Sequence, residues 1–551
     1  MQTGDTVILT HAYPLPVIRP TETGRPNFVD RRKFPIHHLL LEEYAMKKYL
    51  TKQWSFLWAG VAFGIAQIIY LIGTMIPKWA AGETPKVKPM TVTSDLGKMF
   101  RGVEVWLSHT FGFADPQIYG KSTEVGGETI SNGGAFYPGI GWIIFGMMIG
   151  GLLVAVFERD SRVWVKYSKK MLLTSFIGGI IFSYGTRLAG GCTLNHLLGG
   201  VPMMSIHSLV AIVFMSIGGL SAFLLMGKLN LAQNFKHQNT RSYSKAACAR
   251  GDTMECANYD PDYKPAKRLI FWVSLTFLVI FFGVAVYGGL FAPEFLGHLK
   301  DGALKPFNKS IAHEGLAYVV ITLIAGIVAG FGMAKSGFGT ECALVSAEAS
   351  SMIKKDEGKF AKMGLPRITR TLFKGLLPLQ GVVAAWVITL AGIIFFWGFL
   401  GYKHGFSGSV KYQLTAGVPI GALLLGAGAV LLIGCEIRSY MRLGLGYLNT
   451  WVGFMGFAIG YLPFTLFYEQ HKAFLQNTVM VEKYIWPELF TASHSGQVII
   501  AIIFWLALAW LLVYLIKLGA KNTNTSVNSV INKNTEELQL EIDGLAAKAA
   551  D

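Results

Sequence analysis

The stretch IGGIIFSYGTRLAGGCTLNHLLGG, residues 177–200, is apolar and dense in glycine, and it carries Gly191-Cys192 with Asn195 and His196 just beyond. The chain states this pattern twice. Gly178, Gly185, Gly191 and Cys192 fall on Gly421, Gly428, Gly434 and Cys435 at one constant spacing, and Arg438 follows the second cysteine. Gly60, Gly64, Gly73 and Thr74 fall on Gly326, Gly330, Gly339 and Thr340 at a second constant spacing. Two glycine-rich segments ending in Gly-Cys, in one hydrophobic chain, predict a pseudosymmetric membrane protein with its chemistry at the repeats.

The composition agrees. Of 551 residues, 52% are hydrophobic and 15% charged, against about 25% charged in soluble domains. A large soluble helical core would need far more charge to cover it. Apolar stretches long enough to cross a bilayer lie at 54–76, 138–157, 171–190, 203–226, 269–290, 314–334, 372–399, 417–434, 451–467 and 497–516. The fold class is therefore an all-α polytopic membrane protein of about ten spans. With the N-terminus inside, the inner loops 158–170, 227–268, 335–370 and 436–450 hold the dense Lys and Arg. Loops 291–313, 400–416 and 468–496 are more nearly balanced. The net charge of +16 then reports topology with both termini cytoplasmic, and no nucleic-acid signature accompanies it.

Ten spans divide five and five, and an odd number per half forces opposite orientations. This predicts two inverted repeats with a substrate site at their interface. The domains are a cytoplasmic arm 1–53, a first repeat 54–290 with extracytoplasmic loop 77–136, a second repeat 291–516 and a cytoplasmic tail 517–551. Residues 34–50 read as an interfacial helix, 104–116 as a segment on the membrane surface and 534–549 as a short amphipathic helix. The first 50 residues carry Pro14, Pro16, Pro20 and Pro26 and no apolar core of a cleavable signal. The segments 177–190 and 420–434 read as broken or half-length helices. Such ends are tolerated where they face protein or water, and their free N–H groups suit an anion.

Five cysteines occur, at 192, 248, 256, 342 and 435. They form no Cys-x-x-Cys pair, no disulfide framework and no zinc-ligand spacing. Cys248 and Cys256 lie in a basic loop. The repeat places Cys192 towards the outer side, and Cys342 and Cys435 towards the inner side. A free cysteine is often a small buried hydrophobe, but two Gly-Cys motifs in register ask for more. A thiol is polarizable and a weak donor, so three of them suit stepwise passage of a soft sulfur or selenium oxyanion. Arg187 inside a span is expensive and so expected to be functional or paired. Arg438 and Arg442 follow Cys435 and serve either the path or the positive-inside bias. His196 is a candidate hydrogen-bond donor or proton acceptor. Glu341 beside Cys342 and Glu436 beside Cys435 disfavour thiolates, which suits a hydrogen-bond relay better than a nucleophile.

GTRLAGGCTLNHLLGG at 185–200 resembles the signature of the YeeE/YedE family of bacterial inner-membrane proteins. GFGMAKSGFGTECALVSAE at 330–348 is similar to that family's second signature, and Gly434-Cys435 to the repeat of the first. The resemblance covers roughly residues 54–516. It implies an inverted-repeat transporter that passes thiosulfate inward along central cysteines, here Cys192, Cys342 and Cys435, often beside a cytoplasmic sulfur-carrier protein. The chain departs from the pattern at Ile76, which stands where the repeat would place a partner for Cys342, and in LLIGCEIR, which replaces AGGC. The long arm and loop 77–136 are further departures. The expected function is inner-membrane uptake of thiosulfate or a related sulfur species, without cofactor, metal or enzymatic activity. Alternatives are a selenium-species transporter and a non-transporting subunit of a membrane complex. His207, His313 and His494 are scattered singly, unlike the paired axial ligands of haem, and no Walker A sequence appears.

Overall fold

The computed structural model describes residues 53–92, 142–157, 169–229, 316–362, 367–406 and 410–550, and short pieces at 123–125, 128–130, 164–165, 265–266, 276, 279, 297–300 and 303–306. The arm, the 34–50 helix, the 104–116 segment, nearly all of the 269–290 span, Cys248 and Cys256 lie outside the described residues. Ten helices carry the architecture: α1 Phe56–Ala80, α2 Trp142–Phe157, α3 Lys169–Leu188, α4 Ile206–Lys228, α5 Leu316–Ser336, α6 Leu377–Ile393, α7 Gly417–Leu432, α8 Glu436–Leu445, α9 Leu448–Leu466 and α10 His494–Thr523. Among the described residues seven segments are long and apolar enough to cross a membrane: α1, α3, α4, α5, α6 with its extension to Phe399, α7 together with α8, and α10. Trp142–Ala155 is a shorter apolar helix. α9 occupies the position of the ninth expected span.

Local chemistry sets the helix ends. Ser55, Ser205 and Ser493 cap α1, α4 and α10 by accepting backbone N–H groups through their side chains. Asn524, in the left-handed region at φ 53°, closes α10. α10 presents Ile499, Ile503, Leu506, Trp510 and Val513 outward, the apolar surface that lipid would cover.

Packing follows the glycines. α3 and α7 touch backbone to backbone: a Cβ on Gly185 would lie 2.6 Å from Leu425 N and 2.7 Å from Gly421 O. Gly178 meets Leu431 and Leu432, Gly428 meets Phe182, and Gly421 meets Leu188 and Ala189. Numbers that rise along one helix fall along the other, so the pair is antiparallel. Each contact also maps onto another contact when the two glycine rows are exchanged. α1 and α6 run parallel, with Gly60 on Gly381 and Gly64 on Ile388. α2 and α5 run parallel as well, with Gly146 on Gly326 and Gly150 on Gly330. α3 packs on α9, and α7 packs on α4.

The connecting segments are tied down on two sides. Lys86–Val87 pairs in parallel with Lys403–His404, and Leu414–Thr415 pairs antiparallel with Val479–Val481. The His404 ring meets the Met203 carbonyl at 3.2 Å. The C-terminal residues, expected as an amphipathic helix at 534–549, form helices at Val527–Asn532 and Thr535–Ala550. Ile531 accepts from Ser55 Oγ at 2.6 Å, and Asp543 pairs with Arg367 at 2.5 Å.

Two expectations follow from this packing. Gly185→Val forces a side chain into the α3–α7 contact and lowers stability by about 1–3 kcal/mol or more, read as a lower thermal midpoint in detergent. Burial pushes His404 down from 6.5 to about 4, against the opposing pull of the Met203 carbonyl. Between those values the unfolded chain binds a proton that the folded chain refuses, so stability is complete above 6.5 and falls as the pH drops towards 4. His404→Gln should flatten that part of the pH dependence of the thermal midpoint.

Candidate functional site

The two Gly-Cys motifs make the same turn. α3 stops at Leu188, Gly190 takes φ 76°, and the Cys192 carbonyl accepts from His196 N at 2.9 Å. α7 stops at Leu432, Ile433 takes φ 62°, and the Cys435 carbonyl accepts from Ser439 N at 2.9 Å. Each cysteine therefore stands at the start of a new helical segment, a π-helix over Leu194–Gly200 and the α8 helix respectively. The left-handed step costs little at Gly190 and is strained at the β-branched Ile433. Both cysteines are fully buried.

The third cysteine reaches the second motif. After α5, Gly337 at φ 73° and an extended Gly339 lead into the short helix Thr340–Leu344, which carries Glu341 and Cys342. Glu341 forms a buried ion pair with Arg438. Arg438 Nη1 also lies 3.5 Å from Cys342 Sγ, and Cys342 Sγ lies 3.8 Å from Glu341 Oε1. Glu341 Oε2 accepts from Cys435 N at 3.2 Å. Arg442 donates to the Ile433 carbonyl at 2.5 Å and so braces the turn. One guanidinium and one carboxylate thus join two cysteines from distant parts of the chain.

The remaining expected residues sit around this cluster and around the first turn. Arg187 is half-buried, its guanidinium 4.5 Å from the centre of the Tyr461 ring. Glu436 is buried and accepts from Tyr440 OH at 2.7 Å. His196 Nδ1 is 3.2 Å from Ser208 Oγ, and its ring stands 5.0 Å from that of His207. The structure thus gathers Cys342, Glu341, Cys435 and Arg438 into one cluster. Arg187, Glu436 and His196 meet Tyr461, Tyr440 and Ser208 respectively, and Cys192 is buried at the first turn.

Two readings of the sequence change. Residues 436–450 were expected to form a basic inner loop. Glu436–Leu445 is instead a helix buried along nearly its whole length, with Arg438 and Arg442 inside the protein. The positive-inside bias therefore does not account for these two arginines. The segment 177–190, read as a half-length helix, belongs to a helix of 20 residues, and the segment 420–434 to one of 16 residues; each gives way to a new helical segment at its Gly-Cys turn. Tyr440 and Tyr461 were missed. Tyr440 was legible as the residue one helical turn beyond Glu436. Among the described residues no group of three His, Cys, Asp or Glu side chains could hold a metal ion.

Comparison with known proteins fits this arrangement. The family model for sulphur transport matches residues 28–221 and 361–541, more than half of the chain. The chain belongs to that sulphur-transport family. It is 32% identical over 78 residues to the probable transporter YedE of Escherichia coli K12, which is 14% of this chain and 20% of the relative. It is 30% identical over 75 residues to the thiosulfate transporter TsuA of Spirochaeta thermophila, 14% of this chain and 23% of that protein. A probable transporter of Xylella fastidiosa is 29% identical over 85 residues, 61% of its length. The matched stretch thus spans only about a fifth of the first two relatives. The chain is a multi-pass membrane protein of a transport family.

The buried ion pair makes a sharp expectation. Arg438→Met or Glu341→Gln leaves one charge buried and should cost about 3–5 kcal/mol. The double variant Glu341→Gln/Arg438→Met should be more stable than either single variant, as measured by thermal unfolding in detergent.

Proposed function

We propose that the protein takes up thiosulfate, or a closely related sulfur species, along a path that includes Cys192, Cys342 and Cys435. The observation that carries this reading is the Glu341–Arg438 pair, which holds Cys342 and Cys435 around one buried cation. A thiol S–H meets the terminal sulfur of the anion as a weak donor. Arg438 attracts the charge, and Glu341 tempers that attraction. The anion is bound loosely enough to leave, which conduction requires. Arg187, His196 and Glu436 set the polarity further along the path. The relatives named as thiosulfate transporters support this choice of cargo.

The path lies, in this reading, between two inverted five-span repeats. The helix directions support it. α1 and α5 pack antiparallel, with Gly73 on Ile321 and Gly332 on Ala62. α2 runs with α5 and α6 with α1, while α3 opposes α7. If consecutive spans alternate in direction, α4 and α5 point the same way. That shared direction fits two halves of five spans each. Positive-inside bias puts both termini in the cytoplasm of a bacterial cell with the protein in its inner membrane. A cytoplasmic sulfur-carrier protein would then receive the cargo.

Uptake of radiolabelled thiosulfate into proteoliposomes tests the reading. Cys192→Ala, Cys342→Ala and Cys435→Ala should each lower uptake at least about tenfold, which corresponds to roughly 1.4 kcal/mol of lost stabilisation. Competition by selenite, sulfide and polysulfide ranks the cargo. A folded wild-type protein that takes up none of them sinks the proposal and favours a non-transporting subunit.

A further inference from the structure

The segment just after Cys192 holds polar groups for which the described fold finds no use. Asn195 is 2% exposed, and neither its amide nitrogen nor its carbonyl oxygen has a hydrogen-bond partner among the described residues. The adjacent Thr193 hydroxyl is equally buried and equally unpartnered. Helical threonines elsewhere return the hydroxyl to the carbonyl one turn back, as Thr186, Thr322 and Thr523 do. Thr193 opens its helix and has no such turn behind it.

The Asn195 amide also has a place made for it. It lies over the Cα of Gly191, where a Cβ would stand 2.9 Å from Asn195 Cγ. Gly191 is thus the residue that admits a carboxamide directly beside Cys192. The turn does not need the amide to satisfy its own carbonyls. Trp386 Nε1 donates to Leu197 O at 2.6 Å, and Gln67 Nε2 donates to Leu198 O at 3.5 Å. Gln67 is itself fixed by Met90 N at 2.8 Å. A π-helix of this kind often marks a functional site. Burying both ends of a carboxamide without partners is costly, and the cost is met when a polar group arrives.

We infer that Asn195, assisted by the Thr193 hydroxyl, reads the oxygen-bearing side of a sulfur oxyanion while Cys192 meets its terminal sulfur. This rests on the uptake path proposed above. Sulfonate-type oxygens are hard acceptors that suit an amide N–H and a hydroxyl, whereas a terminal sulfur suits a thiol. Hydrosulfide and polysulfide have no oxygen to offer. A site built to hydrogen-bond a group discriminates strongly against analogues that lack it. Asn195 is therefore a specificity residue, separating oxyanions from oxygen-free sulfur species.

The test uses the full chain in proteoliposomes, with radiolabelled thiosulfate as the probe. Asn195→Ala and the isosteric Asn195→Asp are compared with wild type after each is shown to be monodisperse. Asn195→Ala should raise the half-saturating thiosulfate concentration at least about tenfold, the worth of a hydrogen bond to a charged group. Asn195→Asp should raise it further, because its carboxylate repels the anion. Inhibition by hydrosulfide should stay at the wild-type level in Asn195→Ala, which adds no charge. If the Asn195 variants do not fold, Thr193→Val should show the same selective loss to a smaller degree. Folded variants with unchanged half-saturation would overturn the inference, leaving the amide as a site for ordered water only. Equal weakening of thiosulfate and hydrosulfide in Asn195→Ala would overturn it in favour of a structural role. Wild-type uptake of thiosulfate alongside either result leaves the cysteine path standing, whereas no wild-type uptake removes both.

Discussion

The structure depends on one close contact, the antiparallel packing of α3 on α7. Glycines at 178, 185, 421 and 428 bring the two backbones together along about 16 Å, from Gly178–Leu432 to Ala189–Gly421. Without a hydrophobic force between helices in lipid, such van der Waals contact is what holds them. The geometry has a direct consequence for the site. Each helix ends in a Gly-Cys turn, and the helices oppose each other. Cys192 and Cys435 therefore leave opposite ends of one pair, and the segments that follow them fill the space between neighbouring helices.

Charge inside this frame is held by mutual neutralisation. A lone Arg438 would be expensive within a span. Glu341 removes most of that cost and in turn accepts the Cys435 N–H. The pair also links Thr340–Leu344 to α8, so electrostatics and packing fix the same geometry. Arg442 adds a donor to the carbonyl of Ile433, whose left-handed backbone is otherwise unfavourable. The strain at Ile433 is carried by a bonded turn and so persists.

Much of this was legible in the chain. The glycine rows were visible because glycine at constant spacing in two apolar segments is what a close backbone contact between helices requires. Cys192 and Cys435 stood out with them, each at the end of its row. The ion pair was not visible. Glu341 and Arg438 are far apart in sequence, and each alone resembles a charge at the edge of a basic loop. Density of Lys and Arg mimicked a solvated loop at 436–450, whereas the fold buries that segment as α8. Asn195 was hidden for a different reason: an asparagine near a helix start usually caps it, and only the geometry reveals that this one does not.

The repeat is also broken in a way that matters. α1 runs unbroken through Ile76, while the corresponding stretch after α5 turns at Gly337 and delivers Cys342. The surroundings of the two Gly-Cys turns therefore differ. The Cys435 backbone is tied to the Glu341–Arg438 pair that also meets the Cys342 thiol, whereas Cys192 is followed by the buried polar residues Thr193, Asn195 and His196. On the uptake path proposed above, the turn beside Arg438 would hold an anion by field strength and the Cys192 turn by directed donors. Field strength draws any small anion, but directed donors select by shape and by which atoms accept. On that proposal, selection at the Cys192 turn and retention beside Arg438 would be separate tasks, and the asymmetry would let one duplicated turn perform both.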